Sequence, residues 1–218
     1  MLSTLSPVPA DRPLPLRLST RLTALGSPLV DEQFAHPFVQ GIARGDLDPT
    51  AFRAWLEQDY LFLLDYVRVF SRLAWQAPDT HLGDLVDLAY ETFHQEMDLH
   101  RSLAVSFGAR LDRAVKGPAC AAYTAFLLES AADYGIGLAA LLPCMWGYSQ
   151  LGLRLATVTP PGSRYRAWVD TYADPGFARL AERCAQMLDE VDPPPPADEA
   201  ERAFLEGMRH ELAFWDVG

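Results

Sequence analysis

The stretch Pro49-Thr-Ala-Phe52-Arg-Ala-Trp55-Leu-Glu-Gln58-Asp59-Tyr-Leu-Phe62-Leu-Leu-Asp-Tyr66 decides the fold. Phe52, Trp55, Asp59, Phe62 and Tyr66 follow one another at intervals of three or four, which places them on one face of a helix. Asp48-Pro49 gives that helix a start, with an acceptor at the cap and a fixed φ in the first turn. The pattern predicts a long helix to Ala77, and similar signals recur on its C-terminal side. Asp79 opens a segment that runs to Phe107 and stops at Gly108, and Gly117-Pro118 opens another. A further segment carries Pro143 and is expected to break there. Asp174-Pro175 starts a helix to about Glu190, the Pro193 to Pro196 run ends it, and Asp198 leads the last helix to Trp215. Isoleucine occurs only at 42 and 136, and no sustained period-2 alternation marks a strand. The expectation is an all-α single-domain bundle of about seven or eight helices, with residues 1–26 an irregular N-terminal arm and residues 27–218 the helical domain.

At 218 residues the chain can bury a substantial core as one domain. A formal net charge of -11 repels phosphate backbones and anionic headgroups, so no nucleic acid and no membrane surface is expected as partner. Lys116 is the only lysine and sits in a turn-like Val-Lys-Gly-Pro string, which disfavours Schiff-base chemistry. Cys120, Cys144 and Cys184 are odd in number and widely spaced, with no C-x-x-C pair, so a reducing, cytoplasmic setting fits better than a disulfide framework. The arm carries no apolar run of signal-peptide length, and no export is implied. The uncharged run from Tyr134 to Leu153 holds four glycines and Pro143, and reads as a buried helix rather than a membrane span.

Candidate chemistry shows as polar residues inside apolar faces. Asp59 interrupts an aromatic stripe, and its burial requires a partner: a Tyr, Arg or backbone amide, or the amidine edge of a nitrogen heterocycle. On the final helix Phe204, Met208, Glu211 and Trp215 share a face with Phe214 beside them. An acid there is either half of an ion pair or a carboxyl raised to hold a proton. Cys144 follows Pro143 at a disturbed turn with Tyr148 four residues on, which suits a nucleophile as well as a packing residue. Tyr165, Trp168 and Tyr172 form a further aromatic set. Gly135-Ile-Gly137-Leu-Ala-Ala140 matches a dinucleotide fingerprint but lacks the preceding strand and is set aside. Glu91, His94, Glu96 and His100 have di-iron-like spacing without a second such set.

Taken together, His36-Pro-Phe-Val-Gln-Gly41, Phe52 to Leu63, Glu96 to His100, Tyr123 to Leu128, Leu138 to Cys144, Trp168 to Tyr172 and Glu211 to Trp215 resemble the thiaminase II family, also called TenA. Ala-Ala-Leu-Leu-Pro-Cys144 is the most specific of these strings. The resemblance implies a heme-oxygenase-like fold, usually a homotetramer, with no cofactor and no metal. It also implies hydrolysis of 4-amino-5-aminomethyl-2-methylpyrimidine, and in some members thiamin, for thiamin salvage. By the family pattern Cys144 is the nucleophile and Glu211 the catalytic acid. Asp59 binds the pyrimidine, Tyr123 and Phe214 stack on it, and Tyr148 and Tyr172 donate hydrogen bonds near the thiol and the leaving group. Phe62 stands in the substrate-binding set where many members have a tyrosine. A di-iron oxygenase and a non-catalytic pyrimidine-binding or regulatory protein are the competing expectations.

Overall fold

The computed structural model describes residues 16–217, which contain no strand. Its ten α-helices are α1 (Leu18–Ala35), α2 (Pro37–Arg44), α3 (Pro49–Gln76), α4 (Asp79–Glu91), α5 (Met97–Phe107), α6 (Pro118–Ser130), α7 (Tyr134–Val158), α8 (Arg166–Tyr172), α9 (Pro175–Asp189) and α10 (Ala197–Phe214). A π-helical turn, Thr92–Glu96, joins α4 to α5 end to end, so the ten helices make nine rods. The all-α expectation holds, with slightly more rods than the seven or eight expected.

Most starts are the ones the sequence marks. Asp48 accepts from the amide of Thr50 at 2.8 Å, and Asp174 accepts from that of Gly176 at 2.6 Å, each just ahead of a proline. Such caps contribute about 1 kcal/mol apiece. Gly108 ends α5 at φ 70°, a conformation that costs glycine little.

Residues 18–26, expected to be irregular, instead belong to α1. Arg17 at its start makes no side-chain cap. Asp189 at the end of α9 takes that role, accepting from the Ser19 amide at 2.8 Å and from its hydroxyl at 2.6 Å. A cap supplied from the far end of the chain leaves no local trace in the sequence. Leu22, Gly26, Val30 and Gln33 form the buried stripe of α1. The rest of the expected arm, residues 1–15, lies outside the described residues.

α7 occupies the centre, packed against α9 and α10 and also against α1, α6 and α8. It is long and apolar enough to cross a membrane by composition, yet 72% of its apolar window is buried inside the bundle. The break expected at Pro143 does not occur, and α7 runs through it. Proline removes one backbone donor and crowds the preceding turn. Here packing from both sides holds the helix together, and the Tyr66 hydroxyl donates to the Leu141 carbonyl at 3.2 Å within the disturbed stretch.

The proline-rich loop returns α10 onto α1, α6 and α7, as its stiffness suggests. The chain end is then pinned by aromatics. Trp215 stacks on Trp55 of α3 with centroids 5.8 Å apart, and Trp55 meets Trp168 of α8 edge-on at 5.7 Å. Pairs of this kind add about 0.5–1.5 kcal/mol each beyond their burial. The consequence for function is positional: α3, α7 and α10 bring Asp59, Cys144 and Glu211 to the middle of the bundle.

Candidate active site

A cavity of about 700 Å³ opens between α3, the α4–α5 rod, α7, α8 and α9. Asp59, Phe62, Glu96, Cys144, Tyr148 and Tyr172 line its inner part.

Asp59 on α3 is 4% exposed, and its Oδ2 lies 2.6 Å from Nε2 of the fully buried His100 on α5. The other ring nitrogen, Nδ1, is 2.9 Å from the main-chain carbonyl of Glu96. Both nitrogens therefore face acceptors, which requires an imidazolium or a proton shared with the carboxylate. Burial opposes the charge on His100, but the bond and field of Asp59, joined by Glu96, outweigh it and raise its pKa. The partner that buries Asp59 is thus a histidine, one whose spacing along the chain suggests a metal set instead. One sign was available: Met97, His100, Leu103, Ala104 and Phe107 share the buried face of α5.

Cys144 on α7 is partly accessible, and it faces the cavity. Burial raises its pKa well above the ordinary thiol value, and Glu211, Glu96 and Asp59 push in the same direction. The resting sulfur is consequently a thiol, not a thiolate.

Glu211 on α10 is 2% exposed, and Tyr123 on α6 donates to its Oε1 at 2.5 Å. Burial pushes its carboxyl up to about 8, Asp59 adds to the rise, and the Tyr123 hydrogen bond and the nearby Cys144 thiol oppose it. At neutral pH it holds a proton, and it lies close enough to the thiol for each group to shift the other's titration. Of the two states open to an acid on this helix face, ion-paired or proton-bearing, the structure has the second.

Glu96 ends the π turn and has a carboxyl raised to about 7, chiefly by burial. Tyr172 on α8 donates to its Oε1 at 2.8 Å. The rings of Tyr148 and Tyr172 lie 5.0 Å apart, and the Tyr148 hydroxyl has no protein partner among the described residues. A ligand in the cavity can therefore take that donor.

Not every expected residue reaches the cavity surface. Tyr123 and Phe214 lie behind Phe62, with ring centroids 4.9 and 5.7 Å from it, and neither belongs to the lining. Glu211 stands behind the thiol in the same second layer. The aromatic surface offered to a ligand is Phe62, Tyr66, Tyr148 and Tyr172. Lys116 is held by an ion pair to Asp65 and a 3.2 Å bond to Thr124, away from the lining.

The di-iron-like set does not converge. His94 packs at the surface against Tyr90, with centroids 4.4 Å apart, while His100 is committed to Asp59. Among the described residues no group of three or more His, Cys, Asp or Glu is arranged to hold a metal ion.

The arrangement suits a small flat nitrogen heterocycle. An Asp59 side chain held by His100 can take an amidine edge, a thiol stands near a proton-bearing acid, and aromatic rings form the walls.

Over 203 residues the chain is 34% identical to an aminopyrimidine aminohydrolase of Halalkalibacterium halodurans, covering 87% of this chain and 90% of that one. It is 31% identical to an aminopyrimidine aminohydrolase of Bacillus subtilis, covering 84% and 82%. A TenA family transcription regulator from Silicibacter sp. TM1040 superposes with a TM-score of 0.84 at 26% identity, covering 92% and 95%. A TenA homologue from P. horikoshii superposes at 0.85 and 24% identity, covering 92% and 97%, and so shares the fold. The TENA/THI-4/PQQC family model matches residues 26–218, and the chain belongs to that family.

Proposed function

We propose that this protein hydrolyses the exocyclic C–N bond of 4-amino-5-aminomethyl-2-methylpyrimidine, releasing ammonia and the 5-hydroxymethyl compound. The observation that carries the reading is the meeting, at one cavity, of the Cys144 thiol with proton-bearing Glu211 behind it and the Asp59–His100 pair beside it. Similarity to aminopyrimidine aminohydrolases supports the substrate class.

The chemistry follows from the protonation states. Asp59 takes the amidine edge of the ring, held in place by His100. The Cys144 sulfur adds to a ring carbon. Glu211 gives its proton to a ring nitrogen and takes the proton released by the thiol, so S–H adds across the C=N bond overall. The dearomatised ring then expels the amine as its electrons form an exocyclic C=C bond. Water adds to the methylene carbon, the C–S bond breaks, and Glu211 returns the ring proton to sulfur. Confinement in the cavity keeps the carbon near the thiol, which lowers the entropic part of the barrier. In this reading Tyr148 and Tyr172 hydrogen-bond near the thiol and the leaving amine, and Phe62 forms one face of the ring site. Tyr123 and Phe214 support Phe62 from behind, and Tyr123 also orients Glu211. The setting we infer is a cytoplasmic homotetramer in thiamin salvage, a setting with which three unpaired cysteines are consistent.

The test is to incubate the aminomethylpyrimidine with wild type and with Cys144→Ala, and to measure ammonia and the hydroxymethyl product. Product from wild type alone is expected. Equal product from both would end the covalent reading, and none from either would end the assignment.

A further inference from the structure

Hydrolysis by this route leaves one proton without a destination: the one released when water adds to the methylene carbon. Cys144 and Glu211 exchange their protons only with the ring. A carboxylate facing the same cavity is needed. Asp170 and Asp174 are exposed and engaged with Arg166 and the Gly176 amide, and of the remaining lining acids Glu96 is the one bonded beside the Asp59–His100 pair.

Its placement depends on an irregular backbone. Thr92–Glu96 is a π-helical turn inside an otherwise continuous α-helical rod. The extra residue in such a turn rotates the helix on its C-terminal side, and π turns recur at functional sites. Here Glu96 ends the turn and lines the cavity, while His94 within it stays at the surface. The Glu96 main-chain carbonyl receives His100 at 2.9 Å, and Tyr172 donates to its Oε1 at 2.8 Å, leaving Oε2 with no protein partner among the described residues. Glu96 is thereby tied to the Asp59–His100 pair and to the tyrosine read as contacting the leaving amine.

We propose that Glu96 is the general base of the second half-reaction, taking a proton from the water that attacks the methylene carbon and passing it to the departing ammonia. This rests on the aminohydrolase reading. The amine enters as ammonium, which a carboxylate at this position also binds. When the C–N bond breaks, ammonia leaves with the bonding pair. The water oxygen then forms the new C–O bond, its proton goes to Glu96, and Glu96 yields that proton to ammonia. One ammonium and one alcohol leave, and the enzyme returns to its starting state.

The groups around Glu96 come from every neighbouring element: Asp59 from α3, His100 from α5, Cys144 and Tyr148 from α7 and Tyr172 from α8, with Glu91 of α4 and Arg179 and Arg183 of α9 lining the same cavity. Burial raises its pKa to about 7, His100 lowers it, Asp59 raises it and the Tyr172 bond lowers it. A base must be ionised to work, so kcat is expected to rise with pH through about 7.

The experiment compares wild type, Glu96→Gln and Tyr172→Phe on the aminomethylpyrimidine, using rapid quench for ammonia and alcohol together with kcat against pH. Gln keeps the acceptor for Tyr172 but cannot take a proton. Because C–N cleavage precedes the blocked step, Glu96→Gln should release about one ammonia per site in a burst and then turn over about 100-fold or more slowly. Its acid limb should vanish. Tyr172→Phe removes a bond that favours the ionised form, so its acid limb should move to higher pH. Glu96→Gln with a wild-type rate and acid limb, or slowed without an ammonia burst, would overturn the role of Glu96 while leaving the aminohydrolase reading intact. No ammonia from wild type at any pH would overturn that reading and this inference together.

Discussion

Glu211 illustrates how a single residue carries both chemistry and cost. Its carboxyl is raised to about 8 by burial, and the 2.5 Å bond from Tyr123 pulls against that rise. If the acid must be protonated to serve the ring nitrogen, kcat/KM should fall above about pH 8. Tyr123→Phe removes the opposing bond, so the alkaline limb should move to higher pH, and a pH–rate profile reads this directly. Glu211→Gln should lower kcat by about 100-fold or more while leaving the affinity for the ring nearly unchanged, because the proton is needed only as the transition state forms. Asp59→Asn should act in the opposite way, raising KM more than it lowers kcat, since it weakens binding of the amidine edge. Steady-state kinetics on the two variants separates these outcomes. Asp59 and Glu211 stand out in the sequence because each interrupts an apolar helical stripe, and Cys144 because it follows Pro143 with Tyr148 four residues on. His100 was not, since its ring is paired across α3 and α5 and no spacing along the chain reveals that.

At the scale of elements, the same helices that build the core set the site. Gly152 on α7 lies directly under the end of α8, where an added Cβ would overlap the Tyr172 main chain. Gly152→Ala should therefore displace α8 and draw Tyr172 from Glu96, costing about 1–3 kcal/mol of stability by overpacking. Thermal unfolding would show a lowered Tm, and activity should fall more than the stability change alone explains. Helix starts at Asp48-Pro49 and Asp174-Pro175 and the stop at Gly108 were readable because caps act within a few residues. The start of α1 was hidden because its cap is Asp189, brought near only by the folded bundle. The unbroken α7 and the π turn were equally hidden, since surrounding helices decide whether a disturbed turn survives. Tyr123 and Phe214 were expected against the ligand, and their place behind Phe62 comes from how α3, α6 and α10 meet.

For the whole molecule, the buried acids tie stability to pH. Glu96 and Glu211 have folded pKa values raised to about 7 and 8, above their ordinary value of 4.5, and His100 is raised as well. The folded state thus binds more protons than the unfolded chain, so the carboxyl contribution is fully present below about pH 4.5 and is lost as pH rises through 7 and 8. Tm should fall between about pH 5 and 9, and Glu211→Gln should flatten that fall; calorimetry across the range checks both. The central claim, that a mid-chain thiol bonds to the pyrimidine during turnover, has a more direct test. Acid-quenched wild type turning over the aminomethylpyrimidine should yield a Cys144 peptide heavier by the pyrimidine fragment, absent from Cys144→Ala. An unmodified Cys144 peptide, quenched at every stage of a demonstrably productive reaction, would contradict it.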